Sequence, residues 1–322
     1  MPHETHYSDP LLELDDHPAI VLVAYARRCP VGLYAIASEL LEMLSPLSEL
    51  KLKRVRFTAL AGKGNAASKM LVDAGWKAEP AFLEDVPVLH DLVLTGSHLD
   101  LSQASRLESA WRSSPPESHG VQLQWKTLRE GSFPLCEISS RHDGGREGVA
   151  QILLIVPIAA CSHEPSAVRR DLVDRFFREI AVRFGTDYGF IDVCGRNEAG
   201  GGHVHYGDRM IPTIGWSRFC DRILWQRVRN QGRLKPVRPY WGNFFGRELL
   251  SEINADDVVR RFEALMPQAL ADDWGRAERI ADDNLAITLS ADPIHGAGVV
   301  RSTVQDVLRS TIPFIADLLP RM

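Results

Sequence analysis

Cysteine is scarce in this chain and never falls into a paired motif. Cys29, Cys136, Cys161, Cys194 and Cys220 are scattered through 322 residues, and no C-x-x-C spacing occurs. An odd, dispersed set beside apolar runs fits reduced thiols and argues against a disulfide framework or a structural zinc site. Long hydrophobic runs are missing as well: no uninterrupted apolar stretch approaches the roughly 20 residues that a membrane-spanning helix needs. Residues 1–18 are polar and acidic and lack the basic-then-apolar order of a secretory signal. A cytoplasmic protein with no membrane partner is expected. Positive charge is not in excess, with 37 Lys and Arg against 42 Asp and Glu, a net charge of −5 and a pI near 6.1. Nothing in that balance advertises a nucleic-acid partner.

Catalytic motifs are equally thin. There is no G-x-S-x-G elbow. The segment 61–68 (AGKGNAAS) lies between a strand pattern and a helix pattern, where a phosphate cradle would lie. It matches neither the Walker motif nor G-x-G-x-x-G, so an ordinary strand-to-helix turn is expected. Cys161, Ser162 and His163 are adjacent, but neighbours on an extended chain point apart, and catalytic partners normally come from distant segments. The acidic pairs Asp15–Asp16, Asp256–Asp257, Asp272–Asp273 and Asp282–Asp283 read as helix starts and turns. Together they also offer an acidic face to a basic partner, which would favour fast and specific association.

What the chain does contain is alternating strand and helix patterns. Hydrophobic residues make up 45% and charged residues 25%, enough for a sizeable core under a soluble surface. Residues 19–26 (AIVLVAYA) form a buried-strand pattern. Pro30 then opens a helix from Val31 to Leu44, which Pro46 closes. Strands are expected over 54–60, with Val55, Phe57 and Ala59 on one face, and over 88–95. Helices are expected over 66–74, ended by Gly75, and over 102–111. A strand pair over 121–125 and 135–139 follows. The glycine-rich stretch 140–148 (SRHDGGREG) is the best domain boundary.

The second half restarts with a strand over 150–159 and the clearest helix, 166–184. There Val168, Leu172, Phe176, Ile180 and Phe184 recur every four residues. A return strand begins at Tyr188. Further on come helices over 255–270, capped by Asn254, and over 299–319, with a strand over 285–289 between them. The expected fold class is α+β, with amphipathic helices packed on one face of one or more sheets. The divisions are a leader over 1–18, an N-terminal half over 19–140 and a C-terminal half over 149–322, in which two related strand–helix–strand halves can form one continuous domain.

Two stretches compete as functional centres. Residues 235–250 (KPVRPYWGNFFGRELL) concentrate Tyr240, Trp241, Phe244 and Phe245 behind Pro236 and Pro239. Asn243 fits an N-cap, after which Phe244, Leu249, Leu250 and Ile253 share one helix face. The block is either an aromatic plug in the core or a partner anchor, with Tyr240, Trp241 and Phe245 as the contacting residues. In 200–208 (GGGHVHYGD), His203 and His205 alternate on an extended chain and Asp208 follows, the spacing of metal ligands offered by a strand. The glycines there argue for a polar surface loop instead.

The order Tyr188-Gly189-Phe190-Ile191, then Trp241-Gly242-Asn243-Phe244-Phe245-Gly246-x-Glu248-Leu249-Leu250, then Ile287 to Pro293 and a terminal helix resembles the type VI secretion immunity-like family. The likeness runs from about Gln151 to the C-terminal end. It implies a bacterial cytoplasmic protein that binds and neutralises a cognate effector toxin, with no catalysis and no cofactor. The expectation is therefore a non-catalytic protein-binding protein. The alternative is a metal-dependent hydrolase built on His203, His205 and Asp208.

Overall fold

The strand pattern near the N-terminus becomes β1 (Ala19–Ala26), in which every residue from Ile20 to Ala26 is buried. The computed structural model describes residues 19–27, 29–47, 51–62, 66–79, 88–95, 102–110, 116–126, 132–143, 146–157, 165–197, 202–205, 241–264, 274–281 and 283–290. The fold is mixed α+β, and it divides into two compact units. One comprises Val23–Ile155 and Arg175–Thr186; the other comprises Met1–Leu22, Val156–Asp174 and Asp187–Met322.

In the first unit, six strands follow one another in the hydrogen-bonded order β7-β6-β5-β2-β4-β3. They are β2 (Lys51–Ala61), β3 (Lys77–Ala78), β4 (Val88–Thr95), β5 (Ser118–Lys126), β6 (Ser132–Asp143) and β7 (Arg146–Pro157). Each neighbouring pair is antiparallel. The alternation expected for β2 holds: Val55, Phe57, Ala59 and Ala61 are buried, while Arg54, Arg56, Thr58 and Leu60 between them are half-buried. The stretch 140–148 is where β6 and β7 pair, Ser140 against Ala150 and Asp143 against Arg146.

Three helices, α1 (Leu33–Leu44), α2 (Ala66–Asp73) and α3 (Ser102–Ala110), belong to this unit. Tyr34 of α1 meets Phe57 edge-on at 5.1 Å between ring centroids, and Trp76 after α2 packs on the same Phe57 at 6.0 Å. The helices therefore cover the apolar face of β2. Gly75, at φ 83°, ends α2 with paired reverse bonds, Gly75 N–H to Val72 C=O and Trp76 N–H to Leu71 C=O. Those bonds satisfy carbonyls that the helix end leaves open and bring Trp76 over Leu71.

The long helix α4 starts at Pro165–Arg175, loosens into a π-turn over Phe176–Ala181 and finishes with Val182–Phe184. The four-residue spacing of Phe176, Ile180 and Phe184 anticipated the buried stripe but not the π-turn. Gly185, at φ 72°, closes it with the same pair of reverse bonds as Gly75. Its last turns lie against α1, with the Arg175 guanidinium donating to Met43 C=O at 3.1 Å and Arg183 pairing Glu39 at 2.9 Å.

In the second unit, β11 (Trp274–Ile280), β12 (Asn284–Ser290), β10 (Gly242–Phe245) and β8 (Tyr188–Asn197) are neighbours in that order, and β9 (Gly202–His205) also pairs β8. Asn243 corrects the sequence expectation. It is a strand residue, fully buried and opposite both Phe190 and Ile287, and it does not cap a helix. All four residues of β10 are buried, and a strand covered on both faces reads as a continuous apolar run, which periodicity does not distinguish from a helix start. The helix α5 (Arg247–Leu250) begins only after Gly246. The helix α6 (Ala255–Ala264) keeps its expected cap: Asn254 Oδ1 accepts from Asp257 N–H at 3.0 Å. Strands β3 and β11 were not anticipated, and the expected helix over 299–319 lies outside the described residues.

Trp241 is 3% exposed beside the fully buried Phe244 and Phe245. Trp241→Ala is expected to lower stability by about 3–5 kcal/mol, as truncation of a large buried aromatic does. Chemical denaturation compared with the parent chain measures it, and an unchanged midpoint would show that Trp241 is not part of the core.

Candidate functional site

The chemistry-bearing side chains described here gather at three places. The first is the start of α1. Gly32 precedes this helix and has no side chain to cap it, so the first amides need an acceptor from elsewhere. Glu108 of α3 supplies it. Its carboxylate accepts from Leu33 N–H at 2.7 Å and Tyr34 N–H at 3.1 Å, across 75 residues of sequence. Negative charge at a helix start is also favoured by the helix dipole. His119 Nε2 stands 3.1 Å from the same carboxylate, placed to donate to it, and the His119 ring meets Tyr34 edge-on at 6.0 Å. Gly32 is required here. Its φ is +93°, and an added Cβ would stand 2.8 Å from Glu108 Oε2.

Cys29 borders this cluster. Burial, opposed by main-chain hydrogen bonds from Val31 and Gly32 and reinforced by the charge of Glu108, pushes its thiol up to about 11. A thiol held protonated at neutral pH is a poor nucleophile. Burial, with Glu108 second, also holds the Tyr34 hydroxyl well above its ordinary range. The arrangement is a buried clamp between α1, α3 and β5. Sequence inspection missed it because its parts lie far apart; the only local sign is a glycine where a helix cap should stand.

The second place joins α2 to β4. Ser68 Oγ lies 3.0 Å from His90 Nε2, and His90 is 1% exposed. Burial lowers the His90 pKa, which favours the neutral ring. The buried His90 Nδ1 has no hydrogen-bond partner among the described residues.

The third place is the outer margin of the first unit's sheet. Among the described residues, the exposed large hydrophobic side chains are Met70 and Val72 on α2 and Val93 on β4. These two elements pack on one another. They do not share one patch: Met70 and Val72, two positions apart on a helix, point away from each other, and Val93 alternates with the inward His90 and so faces the side of the sheet opposite α2.

The residues singled out from the sequence fall elsewhere. Trp241 and Phe245 are buried in the second unit, where Phe245 packs on Tyr188 at 6.1 Å between centroids. Tyr240 lies outside the described residues. His203 and His205 stand on β9, paired in register with Arg196 and Cys194, so this part of the glycine-rich stretch is a strand and not the loop expected. Asp208 lies outside the described residues, and among those described no three His, Cys, Asp or Glu side chains gather as a metal site requires. The acidic pair Asp256–Asp257 opens α6 as expected, but Arg260, Arg261 and Arg279 pair with it. Those arginines offset that part of an acidic face. No helix among the described residues is long and apolar enough to cross a membrane.

Two outcomes follow for these clusters. Glu108→Ala leaves two buried amides without an acceptor, at about 1–3 kcal/mol for each buried donor. A loss of stability in denaturant melts, not restored by added anions, checks this. For His90 the folded pKa is depressed, so its contribution is fully present above the unfolded value near 6.5 and is lost as pH falls through the folded value. Stability should therefore decline on acidification from about pH 7 to pH 5, and less so in His90→Gln. Equal slopes in the two proteins would remove His90 from the account.

No family model matches the chain, and no curated protein matches it. Among solved structures, a Pseudomonas aeruginosa T6SS protein, PA0821, aligns with a TM-score of 0.47 and 14% sequence identity, over 92% of this chain and 73% of that one.

Proposed function

We propose that this chain is a protein-binding protein whose partner is a cognate effector toxin, neutralised by direct binding. The observation that carries the binding reading is the exposure of three large apolar side chains, Met70, Val72 and Val93, among the described residues of the first unit. Exposed apolar side chains of this size are available for association. The toxin as partner rests on the resemblance of the Tyr188 strand and the Trp241–Leu250 block to immunity-like proteins.

The polar clusters are consistent with this reading. Glu108 is engaged by helix amides, and the Cys29 thiol is protonated at neutral pH. Both serve the fold. Blocking a toxin by occlusion needs surface complementarity and no chemistry from the binder.

Affinity capture of the tagged chain from its host lysate, followed by mass spectrometry, tests the reading. One stoichiometric partner is expected, toxic when expressed alone and harmless when this chain is co-expressed. An empty capture, or a partner that is harmless by itself, overturns it.

A further inference from the structure

The helices of the first unit cover one face of its sheet, and the opposite face is polar. Val55, Phe57 and Ala59 of β2 point toward the helices, so Arg54, Arg56 and Thr58 stand on the other side. The register carries this row onto the neighbouring strands. On β4, Thr95, Val93 and Asp91 lie opposite Arg54, Arg56 and Thr58. On β5, Gln124 and Gln122 lie opposite the two arginines. Against β5, β2 has one extra residue between Leu52 and Arg54. That bulge absorbs a position, so the Lys51–Lys126 pair falls at the end of the same row. The acidic positions near the arginines are Asp91 and, opposite Gln122 on β6, Glu137.

The two arginines differ in what they meet. Arg56 pairs Asp91 at 3.4 Å, although its buried Nε has no acceptor. Arg54 meets no acid. Its Nε is also buried without an acceptor, and no ion pair among the described residues includes its guanidinium. A donor withdrawn from water with no partner loses hydration and gains nothing in exchange, and for a charged group that loss is large. An acceptor arriving from outside would remove it. The face is open to such an arrival: Val93, beside Arg56, is 42% exposed, and Thr95, beside Arg54, is exposed as well.

Charge decides what fits there. Residues two apart on a strand are separated by about 7 Å, a spacing that carboxylates along a protein segment can match. Each guanidinium can hold a carboxylate by a forked pair of hydrogen bonds. Nucleic acid fits less well. The chain as a whole has a net charge of −5, which repels a polyanion, and Val93 offers a phosphate backbone no contact. A protein segment uses both features, with acidic side chains at the arginines and an aliphatic one at Val93.

We propose that the polar face of the first unit's sheet around Arg54 and Arg56 docks an acidic segment of the protein partner, with Arg54 taking a carboxylate that the chain itself does not supply. This rests on the protein-binding reading above and names the chemistry of the contact. The test titrates the full, isotope-labelled chain with a decaglutamate peptide and, separately, with a ten-residue oligothymidylate. The readout is the Arg54 Nε–H resonance, assigned by its loss in Arg54→Met. It is expected to move with decaglutamate, to return as salt is added, and to stay in place with oligothymidylate. Arg54→Met should also weaken retention of the partner held in the capture by about tenfold or more. Its own melting midpoint should be unchanged or higher, because the substitution deletes a donor that has no acceptor in the free chain.

A resonance that decaglutamate leaves in place, or undiminished retention by Arg54→Met, overturns the docking assignment and leaves the protein-binding reading standing. Movement with oligothymidylate as large as with decaglutamate assigns the face to polyanions and overturns the acidic-segment assignment. A lowered midpoint for Arg54→Met shows that the guanidinium serves the fold, and overturns it too. An empty capture overturns both readings.

Discussion

A buried carboxylate fixes how the first unit is put together. The helix α1 starts without a capping side chain, so its first amides have no local acceptor. Glu108 reaches them from α3, and His119 of β5 stands behind it. One charged group thus ties two helices and a strand to a single point. Gly32 is the condition for it: any side chain there would collide with the carboxylate and strain a backbone at φ +93°. The charge is tolerated because it is fully engaged, since a buried carboxylate without donors would be strongly unfavourable. Burial, with a smaller contribution from this charge, raises the Cys29 thiol and the Tyr34 hydroxyl above their ordinary values.

With the helices anchored on one side of the first unit's sheet, the margin at β4 acquires its character. His90 turns inward, opposite Ala59 and bonded to Ser68, and so joins α2 to the strand. The short β3 covers part of the outer edge and stops. Beyond Asp91, β4 runs on to Thr95 with Val93 exposed.

The second unit places its aromatic residues differently. The glycine-led strand β10 lies between β8 and β12, and Trp241, Phe244 and Phe245 are all buried there. A block rich in Trp, Tyr and Phe has the composition of an interface centre and of a core alike. Here the residues of β10 are buried throughout. On the surface of this unit, arginines answer the acidic residues of α6 and its surroundings, so local pairing takes up charge that would otherwise face outward.

Much of the local structure was legible in the sequence. The unbroken β-branched run of β1, the period-two alternation of β2, the four-residue stripe of α4 and the stops at Gly75 and Gly185 depend on neighbours in the chain. Local physics is enough for those, and for the α+β class that they imply. Elsewhere tertiary structure decided. Asn243 became a strand residue because two other strands flank it, and His203 and His205 joined a ladder because β8 offered an edge. Glu108 reached the start of α1 from 75 residues away, a distance that no pattern records. Periodicity reports which face of an element is apolar; only the assembled chain determines what that face, or that edge, is left to meet.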